Sequence, residues 1–264
     1  MSELIQNTSP FFAGFLQFDV LSGEIEKNLS RVREGITDLA DFHRQISPGI
    51  IVLPELWATG FAYEELPALT NKIPEVLEKL HELCAEYEVY IAGSLPEYSN
   101  NGYYNTLFIT GPEGNAGTYR KQRLFRPMAE ETFFSPGNGP GPIHTSLGPV
   151  AGLVCYDLRF PELLRQQTVL GASLLVIPAQ WPAARINHWR ILVQARAIEN
   201  QMFVVAANRC GSTDDTAFAG HSIIVGPDGS ILLEAGEDKE YRGIMIDPAM
   251  TSAARSLFST IPTI

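Results

Sequence analysis

The sequence lacks most of the features that mark a membrane, secreted or nucleic-acid-binding protein. No apolar run approaches the roughly 20 residues a spanning helix needs; the best lies at residues 174–178 and their neighbours. The opening Met-Ser-Glu-Leu-Ile-Gln has no cationic stretch before an apolar segment, and the run from Phe11 to Phe18 is broken by Gln17. No signal peptide is expected, and a cytoplasmic location follows as the default. Cysteine is scarce: Cys84, Cys155 and Cys210 are widely spaced, with no CxxC pair and no His close enough in sequence to suggest zinc, which argues against a disulfide framework and against a metal site. Positive charge is also short. With 19 Lys+Arg against 30 Asp+Glu, a net charge of −11 and no basic run, a phosphate backbone is repelled and nucleic acid is a poor partner. An anionic small molecule would have to be held by a few specific arginines.

What is present is enough apolar material, 45% of 264 residues, to bury a substantial core. Residues 11–20 alternate as a strand, and Ile25, Leu29, Val32, Ile36 and Leu39 recur at helical spacing. Residues 50–53 read as a buried strand stopping at Pro54-Glu55, Pro74 opens a helix, and residues 89–93 form another buried strand. Residues 105–110 and 117–121 flank a Gly111-Pro112-Glu113-Gly114 turn as a hairpin. The second half repeats the plan: strand 150–155, helix from Pro161, strand 173–177, helix 186–201, strand 203–207. A hairpin then spans 221–225 and 230–234, and a strand follows at 241–247. Buried strands alternating with helices place helices outside and sheets inside, while the hairpins make the sheets mixed. Two such halves packed sheet to sheet predict a four-layer αββα sandwich. No linker long enough to separate domains occurs between residues 138 and 150, so a single domain over residues 1–264 is expected, with a core of about 12–248 and a final dozen residues as a tail or exchange arm.

In α/β sheets reactive groups collect at the carboxyl ends of strands. Glu55, Lys121 and Cys155 all fall there. A thiolate is a strong nucleophile and is favoured beside a cation, which Lys121 can supply. A carboxylate in a dry pocket can serve as acid and base, a role that fits Glu55. Lys121 and the N–H of Tyr156 can hold an oxyanion. Each residue alone also has an ordinary reading: Cys155 as an inert core thiol, Glu55 as a turn cap, Lys121 as a solvated hairpin residue.

The local sequences are more specific than the spacing. Leu53-Pro54-Glu55, then residues 119–125 (Tyr-Arg-Lys-Gln-Arg-Leu-Phe), then residues 152–162 (Gly-Leu-Val-Cys-Tyr-Asp-Leu-Arg-Phe-Pro-Glu) resemble, in order, the three signature blocks of the nitrilase superfamily, and residues 196–200 (Arg-Ala-Ile-Glu-Asn) resemble a further block. The resemblance covers roughly residues 12–248. It implies the αββα fold, Glu55 as general base, Lys121 as oxyanion stabiliser, Cys155 as nucleophile, no cofactor and a homodimer or larger homo-oligomer with helices 161–170 and 186–201 at the interface. Members commonly carry a second glutamate seven residues before a glycine, which assigns Glu130, ahead of Gly137, to substrate or lysine positioning; a solvated loop carboxylate is the plain alternative.

Cys155-Tyr156-Asp157 is similar to the amidase and carbamoylase side of the family, and Ala179-Gln180-Trp181-Pro182 with Asn187-His188-Trp189 most resembles the ω-amidase group. That implies a dicarboxylic monoamide such as 2-oxoglutaramate, hydrolysed to acid and ammonia. The alternatives are an N-carbamoyl amidohydrolase, a nitrilase or a non-catalytic metabolite-binding relative. A substrate carboxylate calls for a guanidinium fork: Arg126, Arg159 and Arg185 are the candidates, with Arg159 equally able to pair with Asp157 or Glu162. Trp181 can wall the pocket, Trp189 belongs to the core first, and His188 has no tie to Cys155.

Overall fold

The computed structural model describes residues 9–43, 45–139, 141–213 and 215–262; the opening hexapeptide, read above for leader character, lies outside them. The first half runs β1 (Phe11–Gln17), α1 (Ile25–His43), β2 (Gly49–Val52), α2 (Leu66–Thr70), α3 (Ile73–Tyr87), β3 (Val89–Ser99), β4 (Gly102–Gly111) and β5 (Gly114–Arg120). The second runs β6 (Ile143–Thr145), β7 (Gly148–Gly152), α4 (Pro161–Val169), β8 (Leu174–Ala179), α5 (Ile186–Asn200), β9 (Phe203–Asn208), β10 (Cys210–Ser212), β11 (Ala217–Ala219), β12 (Ile223–Val225) and β13 (Ile231–Glu234). Last come β14 (Glu240–Ile246) and α6 (Ala249–Leu257).

Two six-stranded sheets result, β14-β1-β2-β3-β4-β5 and β13-β12-β9-β8-β7-β6, with β10 and β11 paired separately. Each has a parallel heart, β1-β2-β3 in one and β7-β8-β9 in the other. Antiparallel strands extend each heart on both sides. The pseudo-repeat and the mixed sheets expected from the sequence are both present.

The layer order follows from side-chain alternation along the strands. In the first sheet Phe11, Ala13, Phe15, Ile50, Val52 and Ala92 point one way, into a core shared with Val150, Leu175 and Val205 of the second sheet. Phe12, Leu16, Ile51 and Ile91 point the other way and meet the apolar stripes of α1 and α3. Trp189, Val193 and Ala197 of α5 and Leu163 and Leu164 of α4 cover the far face of the second sheet. This is the αββα sandwich. The sheets approach closely at Gly152, where a Cβ would lie 2.4 Å from a Leu107 methyl; only glycine lets β7 end against β4.

The structure departs from expectation at the ends of elements. β7 stops at Gly152, not at Cys155, because the backbone turns into a left-handed conformation (φ 47°) at Cys155. The short elements α2, β6, β10 and β11 carry too little apolar pattern to be read. The expected tail is in part a helix: α6 consists largely of Ala, Ser and Thr, with only Thr251 buried, and is fixed by tertiary contacts that periodicity does not reveal. Arg255 donates to the carbonyls of Ala172 and Asn200 (2.8 and 3.2 Å), and Gln201 donates to that of Phe258 (2.6 Å). Up to residue 262 the chain end thus folds onto its own second half.

Candidate active site

The carboxyl ends of the two parallel hearts meet over one pocket, lined by Glu55, Lys121, Glu130, Cys155 and Gln180 on one side and by Phe61, Tyr63, Phe125, Met128, Tyr156, Arg159, Trp181, Pro182 and Arg185 on the other. Glu55 is delivered by β2. Leu53 makes a last ladder bond to Ala92 (2.8 Å), and Pro54, lacking an N–H, ends the pairing. The turn that follows is pinned by Ser94, whose Oγ accepts from the N–H of Leu56 (2.8 Å).

Lys121 leaves β5 one residue past its end. Its N–H donates to Asn105 and its carbonyl accepts from Gly137, both at 2.8 Å. Gly137 is required there, since a Cβ would sit 2.3 Å from the Arg120 carbonyl oxygen. This clasp closes the loop of residues 122–136 and brings Glu130 back onto Lys121; the adjacent Glu131 is exposed. The Lys121 ammonium lies 2.7 Å from Glu55 Oε1 and 2.8 Å from each Glu130 oxygen. Asn105 Nδ2 donates to both carboxylates (2.8 and 3.2 Å), and the Phe125 N–H donates to Glu130 Oε2 (2.7 Å). All three charged side chains are at most 2% exposed. Buried charges persist only when paired and hydrogen-bonded, and these are. Burial works against the Lys121 charge, but Glu130 and Glu55 outweigh it and hold its pKa well above the ordinary range.

Cys155 opens a 3-10 turn at Cys155–Arg159. The turn is tied down by Asp157, whose carboxylate accepts from the N–H groups of Val154 (3.2 Å), Gln122 (3.2 Å) and Arg123 (2.8 Å) and from the Tyr119 hydroxyl (2.9 Å). One buried side chain therefore joins the Cys155 turn to the lysine segment and holds the left-handed Cys155 backbone, a conformation that costs of order 1–3 kcal/mol elsewhere. Burial and the negative charge of Glu55 push the Cys155 thiol well above its ordinary pKa, while Lys121 and the Gln180 N–H pull weakly the other way. Proximity to Lys121 therefore does not by itself bring the thiol's pKa down. The single ammonium faces two carboxylates, so a resting thiolate would make a cluster of net charge −2 in a dry site. The resting group is a thiol beside a carboxylate, which can lose its proton to Glu55 as it attacks an electrophile.

The far wall is aromatic and cationic. The Arg159 guanidinium lies over Trp181 (4.7 Å) and faces Tyr156 (6.0 Å); that of Arg185 lies over Phe125 (5.5 Å). Among the described residues neither makes a salt bridge, so the alternative pairing of Arg159 with Asp157 or Glu162 is not formed; Glu162 pairs with Arg123 instead. Burial, aided by repulsion from Arg185, lowers the Arg159 pKa. Arg126 is exposed and borders a neighbouring depression rather than this pocket. His188 approaches Arg159 (3.3 Å), and Trp189 is fully buried with its N–H on the His221 carbonyl (2.8 Å).

Sequence reasoning missed Asn105, Tyr63 and the work of Asp157 and Gln180. Asn105 and Tyr63 sit in stretches with no local motif; only the long-range pairing of β4 with β3 and β5 brings Asn105 to the site. Asp157 was visible two residues after the cysteine, but three of its four partners lie 34 to 38 residues away in sequence.

A helix-flanked pair of mixed sheets thus brings a Glu-Lys-Glu cluster and a thiol into one pocket. The carbon-nitrogen hydrolase family model matches residues 13–256, and the chain belongs to that family of enzymes that cut non-peptide C–N bonds. Among characterised relatives, it is 39% identical over 227 residues to the 2-oxoglutaramate amidase of Bacillus subtilis (strain 168), covering 85% of this chain and 86% of that one. It is 33% identical over 226 residues to the omega-amidase YafV of Escherichia coli (strain K12), covering 84% and 86%. Among solved structures, the carbon-nitrogen hydrolase from Helicobacter pylori G27 superposes with a TM-score of 0.88 at 25% identity, over 95% of this chain and 94% of that chain.

Proposed function

We propose that the protein is an ω-amidase, hydrolysing the terminal amide of a dicarboxylic monoamide of the 2-oxoglutaramate type to the acid and ammonia. One observation carries this reading: the pocket that holds Cys155 also holds two guanidinium groups, of Arg159 and Arg185, with no acidic partner among the described residues, in a chain of net charge −11. A receptor for a carboxylate in the same pocket as the thiol suits a substrate with an amide at one end and an acid at the other. The two amidase relatives support the same substrate class.

The reaction then runs in two halves. Glu55 takes the thiol proton as Cys155 Sγ bonds to the amide carbon, and the Lys121 ammonium with the Tyr156 N–H stabilises the oxyanion. Glu130 holds Lys121 in place. The intermediate collapses, the C–N bond breaks, and Glu55 returns its proton to the leaving nitrogen, which departs as ammonia. Water, deprotonated by Glu55, attacks the thioester and releases the acid and the thiol. Trp181 and Tyr156 wall the substrate chain. We further place the enzyme in the cytoplasm as one domain spanning the chain. We read it as a homodimer or larger assembly through the α4 and α5 face, where Leu170, Ile191 and Ile198 are 55%, 65% and 52% exposed; among the described residues no helix is long and apolar enough to cross a membrane.

The test is ammonia release from 2-oxoglutaramate, succinamic acid, glutamine, an N-carbamoyl amine and a simple nitrile, beside Cys155→Ala. Release from the dicarboxylic monoamides alone, abolished in the variant, is the expected result. Carbon dioxide released with ammonia from the carbamoyl compound, or turnover of the nitrile, would move the substrate class. Binding without turnover of any compound would make the protein a metabolite-binding relative.

A further inference from the structure

The Glu55 carboxylate is held from two directions, and one has no place in the mechanism above. Gln180, the first residue after β8, donates its main-chain N–H to Glu55 Oε2 (3.3 Å) and its side-chain Nε2 to the Glu55 carbonyl (2.7 Å). Gln180 lines the same pocket as Glu55 and Cys155, so it borders both reacting groups. Its Oε1 accepts from Arg209 Nη1 (2.8 Å). Arg209 is 2% exposed and uses its remaining donors elsewhere: Nε and Nη2 on Asp19 Oδ1 (3.2 and 2.8 Å) and Nη2 on the Ser212 carbonyl (3.2 Å). The Phe218 ring closes its face at 4.5 Å.

We propose that Arg209 is a positioning residue for Glu55, acting through Gln180, whose side-chain amide it holds in a single orientation. A glutamine amide can turn over, exchanging oxygen for nitrogen at little steric cost, whereas a guanidinium has donors alone. With Arg209 on one side, the amide oxygen must face it and the NH2 must face the Glu55 carbonyl. Turned over, the amide would set donor against donor and carbonyl against carbonyl, both in a buried site where leaving a polar group unpaired is costly. Asp19 fixes the guanidinium and Arg209 fixes the amide, so the amide fixes the main chain from which the Glu55 carboxylate projects. The chain of bonds begins at the partly exposed Asp19 and ends at the general base. Arg209 touches neither substrate nor thiol, so its loss lowers the rate of proton transfer without weakening substrate binding.

This inference rests on Glu55 being the base, and its test separates the two. In the full-length protein, kcat and KM for 2-oxoglutaramate are measured beside the rate of Cys155 alkylation by iodoacetamide, followed by the mass of the Cys155 peptide, which needs no substrate assignment. Arg209→Met is expected to lower kcat and the alkylation rate by about 10- to 100-fold, the range for a slight misplacement of a catalytic group, with KM within about threefold. Arg209→Lys, which keeps one donor for Gln180 Oε1, is expected to recover part of that loss. Should Arg209→Met fail to fold, Gln180→Met, which keeps the main-chain N–H and removes the amide, decides with the same expected loss. Wild-type alkylation in the Arg209→Met or Gln180→Met protein, or a loss confined to KM that lysine does not restore, overturns the inference. A Glu55→Gln enzyme that alkylates and turns over normally overturns the reading of Glu55 itself, and the inference with it.

Discussion

The two halves of the molecule have the same topology and opposite chemistry. At the ends of its strands the first sheet carries Glu55 after β2, Asn105 on β4 and Lys121 after β5, with Glu130 returned from the loop beyond: a dense, dry cluster of charge whose two carboxylates share the Lys121 ammonium and the Asn105 amide. The second carries Cys155 after β7 and Gln180 with Trp181 after β8, and presents Tyr156, Arg159 and Arg185 to the open side of the pocket. A parallel three-stranded heart fixes where a strand end lies but not what stands on it. In the first half the strand ends hold one another, which makes a rigid electrostatic frame. In the second they are held from elsewhere, by Asp157 and Arg209, and their outer side chains are left free for a ligand. Substitutions in the first half should therefore cost stability as well as rate, whereas those on the open wall should change binding.

The sharpest contrast comes from the thiol itself. Cys155→Ala removes the proposed nucleophile and is expected to reduce kcat by about 10⁵- to 10⁶-fold, as loss of a covalent nucleophile does elsewhere. Its thermal midpoint should stay near that of the wild type, because no charge is left unpaired. Lys121→Met is the counterpart in the first half. It strands the Glu55 and Glu130 carboxylates in a site at most 2% exposed, and breaking a buried pair costs about 3–5 kcal/mol. Activity and denaturant midpoint should fall together. A stable, inactive Lys121→Met protein would show that the cluster is not the frame described.

Asp157→Asn tests the link between halves. The amide keeps one acceptor oxygen where the carboxylate has two serving four donors, so a loss of about 2 kcal/mol is expected, with a smaller fall in kcat as the Cys155 turn loosens. Its pH dependence has a definite sign. Burial pushes the Asp157 carboxyl up to about 6, above the roughly 3.9 of an unfolded aspartate. Between those values the folded state binds a proton that the unfolded chain does not, so the contribution of this group to stability is largest at low pH and is lost as pH rises through about 6. The stability gap between wild type and Asp157→Asn should widen from pH 8 to pH 5 in denaturant unfolding. A gap that narrows would mean that the four donors hold the carboxylate ionised despite its burial.

What was legible in the sequence follows the range of the physics involved. Alternation and helical spacing are local, so the strands of both hearts and the amphipathic α1 and α3 could be read, and with them the two-sheet sandwich. Glu55, Lys121 and Cys155 could be singled out because strand ends are places, whereas Glu130 is named only through the family resemblance, by its spacing from Gly137. Asn105, Gln180 and Arg209 act through partners 25 to 190 residues away, and no local spacing encodes such bonds. The same limit hid α6, which is anchored by Arg255 across the fold rather than by an apolar stripe. Nor can the state of the thiol be read from a nearby lysine until the two carboxylates that share that lysine are counted.

The arginines give the finest test, since three of them looked alike in sequence and the structure separates them. Arg159→Ala removes a guanidinium that is stacked on Trp181 and faces the thiol pocket; a lost charge-assisted contact of about 1.5–3 kcal/mol raises KM by roughly 10- to 100-fold, with kcat less affected. Arg126 stands outside that pocket, on exposed backbone beside Arg123 and Phe134, and an unpaired surface arginine contributes little. Arg126→Ala should leave kcat and KM within about twofold and the thermal midpoint unchanged. An Arg126→Ala enzyme with a raised KM would mean that the loop of residues 122–136 swings its arginine over the substrate when the pocket is filled. The open wall would then extend to the first half of the chain, and the division of labour between the halves would hold only for the empty site.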